Sequence, residues 1–465
     1  MSATNPLNRV SEHYRASRPS VYCVTQTIHR LMNRTYLKEA TESTVTIDAE
    51  VTETVNDILA GVRNGGDDAV REYTRTFDDV ERDDLRVSPE EIDAASDALD
   101  AAEKQAIDYM IENVREFHVE QFEHIEPFER EFKPGVTLGQ RVLPVETAGV
   151  YIPGGRHPLV ATPAMTIIPA VVAGVDTIIA CAPPQTDGTV MPAQLYAMNR
   201  AGVDEIYCVG GAQAIAAMAY GTESVPAVDI VTGPGNVFTT EAKRQVFGHV
   251  GIDFLAGPTE VLIIADDTAD PELVAIDLLA QAEHDPNSRP VLIAQSESIA
   301  RETVDALESQ LPDLATEAVA RKCWEGNGEV IVVSDRQTAI DLANEYAMEH
   351  LQVMSDTPRA YLEELHNYGS LFLGHNAPVV FGDKVVGTNH CLPTREVARY
   401  NSGIWVGTYL KTPTHQQLTR DGAATIAPWA AKICEIEGTD AHRLSANARA
   451  RDNGQLTEPT GESDE

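Results

Sequence analysis

The sequence predicts an α/β protein built on mainly parallel, doubly wound sheets. Two observations carry this. From Arg141 onward, short apolar runs end in Gly or Pro turns and alternate with Ala-rich stretches at helical spacing, which is the pattern that strand, turn, helix, strand units leave in a sequence. The same grammar resumes after a break at Ala256-Gly257-Pro258-Thr259, so two such domains are expected. With 465 residues, 43% of them hydrophobic and 23% charged, the chain can fill two large cores.

Taken in order, the first forty residues are mixed and polar, and an N-terminal extension is expected over 1–48. No apolar core of secretory length occurs in 1–20, so no signal peptide is read there. Residues 50–77 read as an amphipathic helix, with Val51, Val55, Ile58, Leu59 and Val62 at helical spacing, and 89–122 as a second helical stretch. Segments 150–155, 177–182, 205–211 and 229–235 read as strands with the turns that follow them. In the second set, 261–265, 290–294 and 329–333 read as strands, each followed by a helix. The longest apolar stretch, 162–184, is broken by Pro163, Pro169 and Asp176, which excludes a membrane span. Residues 49–150 with 259–400 are expected to form one α/β domain and 151–258 the other. A helical segment is expected over 401–451, and an acidic disordered tail over 452–465.

Composition narrows the partners. Asp and Glu number 72 against 35 Lys and Arg, a formal charge of −37, which argues against nucleic acid as a ligand. Only eight of the 35 basic residues are Lys, and the acids are spread along the chain. That describes a hydrated acidic surface whose self-repulsion salt must screen, as in a salt-adapted protein; an ordinary acidic enzyme is the alternative. Six cysteines (Cys23, Cys181, Cys208, Cys323, Cys391, Cys434) lie scattered without a C-x-x-C pair. They read as buried, reduced thiols of a cytoplasmic protein.

Three constellations could carry chemistry. A G-x-G-x-x-G fingerprint is absent, but three Gly turns follow strands: Gly154-Gly155, Gly210-Gly211-Ala212-Gln213 and Gly233-Pro234-Gly235-Asn236. Glycines there let a backbone approach a dinucleotide closely, with Tyr151, Gln213 and Asn236 as stacking and hydrogen-bonding groups. Each turn alone is ordinary strand-to-helix punctuation; three in one domain point to a ligand. A helix starting at Asp270-Pro271 and stopped by Pro286 carries Gln281 and His284 three residues apart, on one face. Together with Asp383, His390 and His442 they offer imidazole, carboxylate and amide donors suited to Zn²⁺, although sequence alone does not bring these distant groups together. The third is Glu349-His350, expected at the end of a helix from Thr338. The pair serves either as water activator and proton acceptor or, more blandly, as a His⁺ on the helix dipole.

These residues resemble the histidinol dehydrogenase family over about 35–450, through GVYIPGG (149–155), GGAQAIAAMAYGTE (210–223), GPGNVFTTEAKRQVFG (233–248), IDFLAGPTE (252–260), LLAQAEHD (278–285), MEHL (348–351), GTNHCLPT (387–394) and EGTDAH (437–442). The resemblance implies two incomplete Rossmann-like domains with small helical N- and C-terminal extensions, in a homodimer that shares its active sites. It implies oxidation of a primary alcohol through an aldehyde to a carboxylate, with NAD⁺ and one Zn²⁺ per subunit. Carried over by position, Gln281, His284, Asp383 and His442 would bind zinc, and Glu349 and His350 would be catalytic. Tyr151, Gln213 and Asn236 would contact NAD⁺. Thr259, His390 and Glu437 would line the substrate pocket with His350 and the zinc ligands.

The departures from the family pattern concern the substrate. Thr259 stands where biosynthetic members usually carry Ser, and 156–161 reads RHPLVA in place of a Tyr-Pro-Ser stretch. TYLKEAT (35–41), LGQRVLPVETAG (138–149), NYGSLFLG (367–374), FGDK (381–384) and ARY (398–400) look like the sulfopropanediol dehydrogenase branch, which oxidises 2,3-dihydroxypropane-1-sulfonate to sulfolactate. Arg156, His157 and Lys411 are cations that could meet a sulfonate. L-histidinol is the alternative substrate. A silent paralogue is argued against by the intact Glu349, His350 and ligand set, and an NAD-free zinc hydrolase by the three Gly turns.

Overall fold

The computed structural model describes residues 34–41, 49–154, 159–452 and 455–456. Strand β1 (Arg34–Lys38) precedes α1 (Ala49–Asp78), whose buried stripe of Val55, Ile58, Leu59, Val62 and Val70 matches the expected periodicity. Two helices, α2 (Pro89–Ala98) and α3 (Ala101–Glu123), replace the single stretch expected over 89–122. Ser88 with Glu91, and Asp100 with Glu103, form complete capping boxes, so the second helix restarts at Asp100.

An antiparallel hairpin, β2 (Phe128–Lys133) and β3 (Val136–Gln140), leads through β4 (Leu143–Pro144) into the first parallel set. That set runs β5 (Thr147–Tyr151), α4 (Thr162–Ala173), β6 (Thr177–Ala182), α5 (Pro192–Ala201), β7 (Glu205–Cys208), α6 (Gly211–Tyr220), β8 (Ile230–Thr232), α7 (Val237–Val246) and β9 (Gly251–Ile252). The second set runs β10 (Glu260–Ala265), α8 (Pro271–Ala282), β11 (Arg289–Ala294), α9 (Glu297–Gln310), α10 (Glu317–Asn327), β12 (Glu329–Val333), α11 (Arg336–Tyr346), β13 (His350–Met354), β14 (Ser370–Leu373) and α12 (Val379–Lys384). The chain ends through β15 (Leu410–Lys411), β16 (Thr414–Leu418), α13 (Arg420–Glu437) and α14 (Asp440–Arg449).

The fold is α/β, and its chain divides into two compact units. Of the described residues, unit 1 holds those within 1–52, 254–384 and 392–403, and unit 2 those within 53–253, 385–391 and 404–465. In unit 1 the sheet order is β1-β12-β11-β10-β13-β14, with β1 antiparallel to β12 and the others parallel. In unit 2 it is β7-β6-β5-β8-β9, all parallel. Each parallel set thus places its third, second, first, fourth and fifth strands side by side, a Rossmann order without a sixth strand. In unit 1 both faces are covered. Val261, Ile263 and Leu292 pack with Val274 and Leu278, while Leu262, Ile264 and Ile293 pack with Ile340 and Ala343 on the opposite side.

Several expectations are corrected. Residues 53–150 group with 151–253 rather than with 259–400, because α2 and α3 pack on α4 and α5, and α4 is apolar on every side. Residues 414–418 are a strand paired with β3, not part of a helix. The polar N-terminal stretch contains β1, which pairs with β12 as an edge strand. Of the tail expected to be disordered, only Asp452, Gln455 and Leu456 are described, in a short antiparallel pairing with Arg451. Among the described residues no helix is long and apolar enough to cross a membrane, and no disulfide joins Cys181, Cys208, Cys323, Cys391 and Cys434, of which Cys434 is only partly buried. Cys23 lies outside the described residues.

Candidate active site

Unit 1 assembles its polar cluster at the amino edge of its sheet. The register sets His350 beside Val261, so the starts of β10 and β13 lie together, and α8 returns to the same edge with Gln281 in its last turn. Helix α11 stops at Tyr346 because Ala347 takes a left-handed φ of 47°; Glu349 then precedes β13 and His350 opens it. The pair therefore does not end a helix, which removes the dipole reading. The helix carrying Gln281 also stops earlier than expected, at Ala282, and His284 sits in the turn beyond it.

The Glu349 carboxylate is buried (7% exposed) and tightly held. Its Oε2 accepts from the Thr259 hydroxyl at 2.6 Å and from the Glu260 backbone N–H at 2.8 Å. The Thr259 oxygen in turn accepts from the Gln281 amide nitrogen. His350, 2% exposed, places Nδ1 2.9 Å from the Glu260 carbonyl and Nε2 3.2 Å from Asp383 Oδ1, with Glu349 Oε2 3.5 Å from Nδ1. Both ring nitrogens face acceptors, so in this arrangement both carry protons. Burial opposes that cation, but the Glu349 and Asp383 carboxylates outweigh it and hold the His350 pKa well above its ordinary value. Phe372 lies against the ring, with centroids 6.0 Å apart.

Glu260 was not singled out from sequence. Burial, followed by the neighbouring Glu349 charge, pushes its carboxyl up to about 7, and its Oε2 has no hydrogen-bond partner. An acid heading the apolar run VLIIA is the signal that could have found it.

Three of the four expected zinc ligands belong to unit 1. With its amide nitrogen spent on Thr259, Gln281 keeps its carbonyl oxygen for a cation. Burial pulls the His284 imidazole below its ordinary value despite the pull of Asp383, which keeps a ligating nitrogen unprotonated. These donors, completed by a further imidazole, fit Zn²⁺. Among the described residues no three His, Cys, Asp or Glu side chains gather as a metal group. His442 and Glu437 are carried by unit 2, exposed on α14 and at the end of α13. His390, also in unit 2, has Nε2 3.2 Å from the Thr162 hydroxyl.

Unit 2 presents the expected nucleotide groups at its carboxyl edge, where β5 and β8 adjoin and the strand order reverses. Tyr151 ends β5, its hydroxyl accepting from Gly211 N–H at 3.1 Å, and burial pushes its phenol up to about 12. Asn236 caps α7 by accepting from the backbone of Phe238 and Thr239 at 3.0 and 3.1 Å. Gln213 is 1% exposed and neither amide atom has a partner. An unpaired buried amide is costly, and a bound cofactor with donors and acceptors fits it. The Gly233 turn has φ 112° and presses on the Tyr151 backbone, where a Cβ would collide. A fully buried ion pair clamps it: Asp253 Oδ2 accepts from Gly233 N–H at 2.8 Å and Lys243 Nζ donates to Gly233 O at 2.9 Å. Sequence reading missed that brace, since Lys243 lies inside a helical motif and Asp253 ten residues further on.

Two incomplete Rossmann-like units, one with a carboxylate–imidazole cluster and one with nucleotide-type turns, define a dehydrogenase-like α/β protein. The sequence profile of the histidinol dehydrogenase family matches residues 41–450. A histidinol dehydrogenase of Methanothermobacter thermautotrophicus is 46% identical over 86% of this chain and 93% of that protein. The sulfopropanediol 3-dehydrogenase of Ruegeria pomeroyi is 41% identical over 89% of this chain and 95% of that protein. The crystal structure of histidinol dehydrogenase from Elizabethkingia anophelis superposes with a TM-score of 0.85 at 35% identity, covering 92% of this chain and 96% of that one. The chain belongs to the histidinol dehydrogenase family and is an oxidoreductase of that family.

Proposed function

We propose that this protein is a zinc- and NAD-dependent dehydrogenase that takes a primary alcohol through an aldehyde to a carboxylate, with 2,3-dihydroxypropane-1-sulfonate as substrate and sulfolactate as product. The observation that carries the reading is the buried Glu349–His350 pair, held by Thr259, Glu260 and Asp383 beside Gln281. Gln281, His284, Asp383 and His442 would hold the zinc, and Tyr151, Gln213 and Asn236 the dinucleotide. Bound zinc supplies Lewis-acid polarisation and orientation of the alcohol, and NAD⁺ accepts the hydride.

The chain's own residues handle protons. His350 keeps its Nδ1–H on the Glu260 carbonyl, which fixes the ring and leaves Nε2 as the atom that exchanges a proton with the substrate hydroxyl. Were Asp383 to serve as a metal ligand, it would leave Nε2 and take away one of the charges that hold its proton. Glu349, fixed by two donors, takes a proton from the water that adds to the aldehyde. Each alcohol then yields two hydrides and one carboxylate.

A homodimer with shared sites is part of the proposal. Trp429, Ile433 and Ile436 form an exposed stripe on α13, joined by Leu444 on α14, and Ile436 is 75% exposed. A second copy covering that face would bring in Glu437 and His442. The −37 charge further supports a cytoplasm rich in salt.

L-histidinol is the second reading, favoured by the 46% identity to a protein named histidinol dehydrogenase. The cations proposed to meet a sulfonate are Arg156 and His157, which lie outside the described residues, and Lys411, exposed on β15. Zinc-loaded protein assayed with NAD⁺ and each alcohol decides between the two. A higher kcat/KM for the sulfonate supports the first reading, and a higher value for L-histidinol overturns it.

A further inference from the structure

Arg395 and Glu396 are consecutive non-glycine residues with left-handed φ angles of 56° and 61°. A Cβ makes that conformation costly, and such strain persists only where the surroundings impose it. Here the turn is tied down at three points within unit 1. The Thr394 hydroxyl accepts from Gly257 N–H at 2.6 Å. Arg395 N–H donates to the buried Glu260 carboxyl at 3.2 Å. The Arg395 guanidinium lies on Gly257, where any Cβ would collide with its Nε. Gly257 leads directly through Pro258 to Thr259 and Glu260, whose hydroxyl and backbone hold Glu349 and His350.

In a protein with 72 acidic residues against 35 basic ones, the Arg395 side chain has no carboxylate partner among the described residues, and it is exposed. The other guanidinium near Glu260, that of Arg289, is bound to Glu329 at 2.8 Å. A strained turn thus holds a cation with no carboxylate partner among the described residues against Gly257, two residues before Thr259.

We propose that the Arg395 guanidinium is the anion receptor of this site, a specificity-determining group that takes the anionic end of the substrate. Its planar fork of donors matches two oxygens of a sulfonate. The inference rests on the dehydrogenase reading above and deepens its substrate arm. Lys384, in the last turn of α12 beside Asp383, is the rival cation.

The test is steady-state kinetics on zinc-loaded holoenzyme. Glycine suits a left-handed φ, so Arg395→Gly removes the cation without forcing the backbone. Arg395→Gly should raise the KM for sulfopropanediol about 10–100-fold, the worth of a hydrogen bond to a charged group. The kcat and the KM for NAD⁺ should hold, the melting temperature should not fall, and Arg395→Lys should recover part of the loss. If wild-type protein oxidises L-histidinol and no sulfonate, the substrate reading fails on its own. Methanesulfonate inhibition against L-histidinol then tests the receptor: competitive inhibition lost in Arg395→Gly supports it. An unchanged KM or inhibition in Arg395→Gly, no inhibition of wild type, or loss of the preference in Lys384→Gln instead, overturns the proposal.

Discussion

Replacing Thr259 by Val tests the cluster at its joint. The hydroxyl is both the donor to Glu349 Oε2, at 2.6 Å, and the acceptor for the Gln281 amide. Valine keeps the branched shape and removes both roles. Glu349 then keeps one of its two donors, the Glu260 N–H at 2.8 Å. A hydrogen bond to a charged group is worth about 1.5–3 kcal/mol, which corresponds to about 10–150-fold in kcat/KM if the bond is needed in the transition state. The stranded Gln281 amide adds a desolvation cost of about 1–3 kcal/mol, felt in stability and in zinc affinity rather than in the proton step. The assay is NADH formation from the alcohol and, separately, from the aldehyde, with zinc content measured on the same preparation. Thr259→Val should lose more on the aldehyde, where Glu349 is proposed to act, and Thr259→Ser should stay close to wild type. A Thr259→Val enzyme with full activity on both would show that the hydroxyl does not hold Glu349 for catalysis.

His350→Ala should lower the alcohol step by about 10²–10⁴-fold while dinucleotide binding, followed by fluorescence titration, persists. Lys243→Met leaves the buried Asp253 charge without its partner and should cost about 3–5 kcal/mol in denaturant unfolding, with a weaker affinity for NAD⁺; a loss below about 1 kcal/mol would contradict the brace. The Glu260 carboxyl, raised in the fold to about 7 from an ordinary 4.5, stays protonated in the fold after the unfolded chain has ionised. Stability of metal-stripped protein should therefore fall as pH rises from about 4.5 to 7 and level off above, by about 3 kcal/mol, and Glu260→Gln should remove that fall. Mixing inactive His442→Ala and His350→Ala proteins should restore activity through hybrid dimers, whereas no recovery after verified subunit exchange would place all ligands within one chain.

The parallel strands were legible because buried runs such as VLIIA, PVLIA and EVIVV are bounded by turns, and each recurs after a helix-length spacing. Strand β1 was not, since RTYLK is short and polar and is specified by its pairing with β12. The place of Glu349 and His350 was misread because their preceding run is helical until one residue, Ala347, turns left-handed, and alanine gives no warning of that. The candidate site residues were named through motifs, yet the motifs do not say which edge of the sheet they occupy. Unit 2 carries Tyr151, Gln213 and Asn236 at its carboxyl edge, whereas unit 1 gathers Thr259, Glu349 and His350 at the amino edge through the register of β10 with β13. Long-range partners such as Asp253 for Lys243 and Glu260 for the Arg395 turn have no local signal at all.

The measurement that bears most directly on the account is the stoichiometry of NADH formed per alcohol consumed by the zinc-loaded protein, with free aldehyde trapped and quantified in the same reaction. Two NADH per alcohol, a carboxylate product and no accumulating aldehyde are the expected result, since Glu349 and His350 lie in one cluster and are proposed to serve both oxidations. One NADH per alcohol with aldehyde released, or no NADH from either sulfopropanediol or L-histidinol, would contradict it.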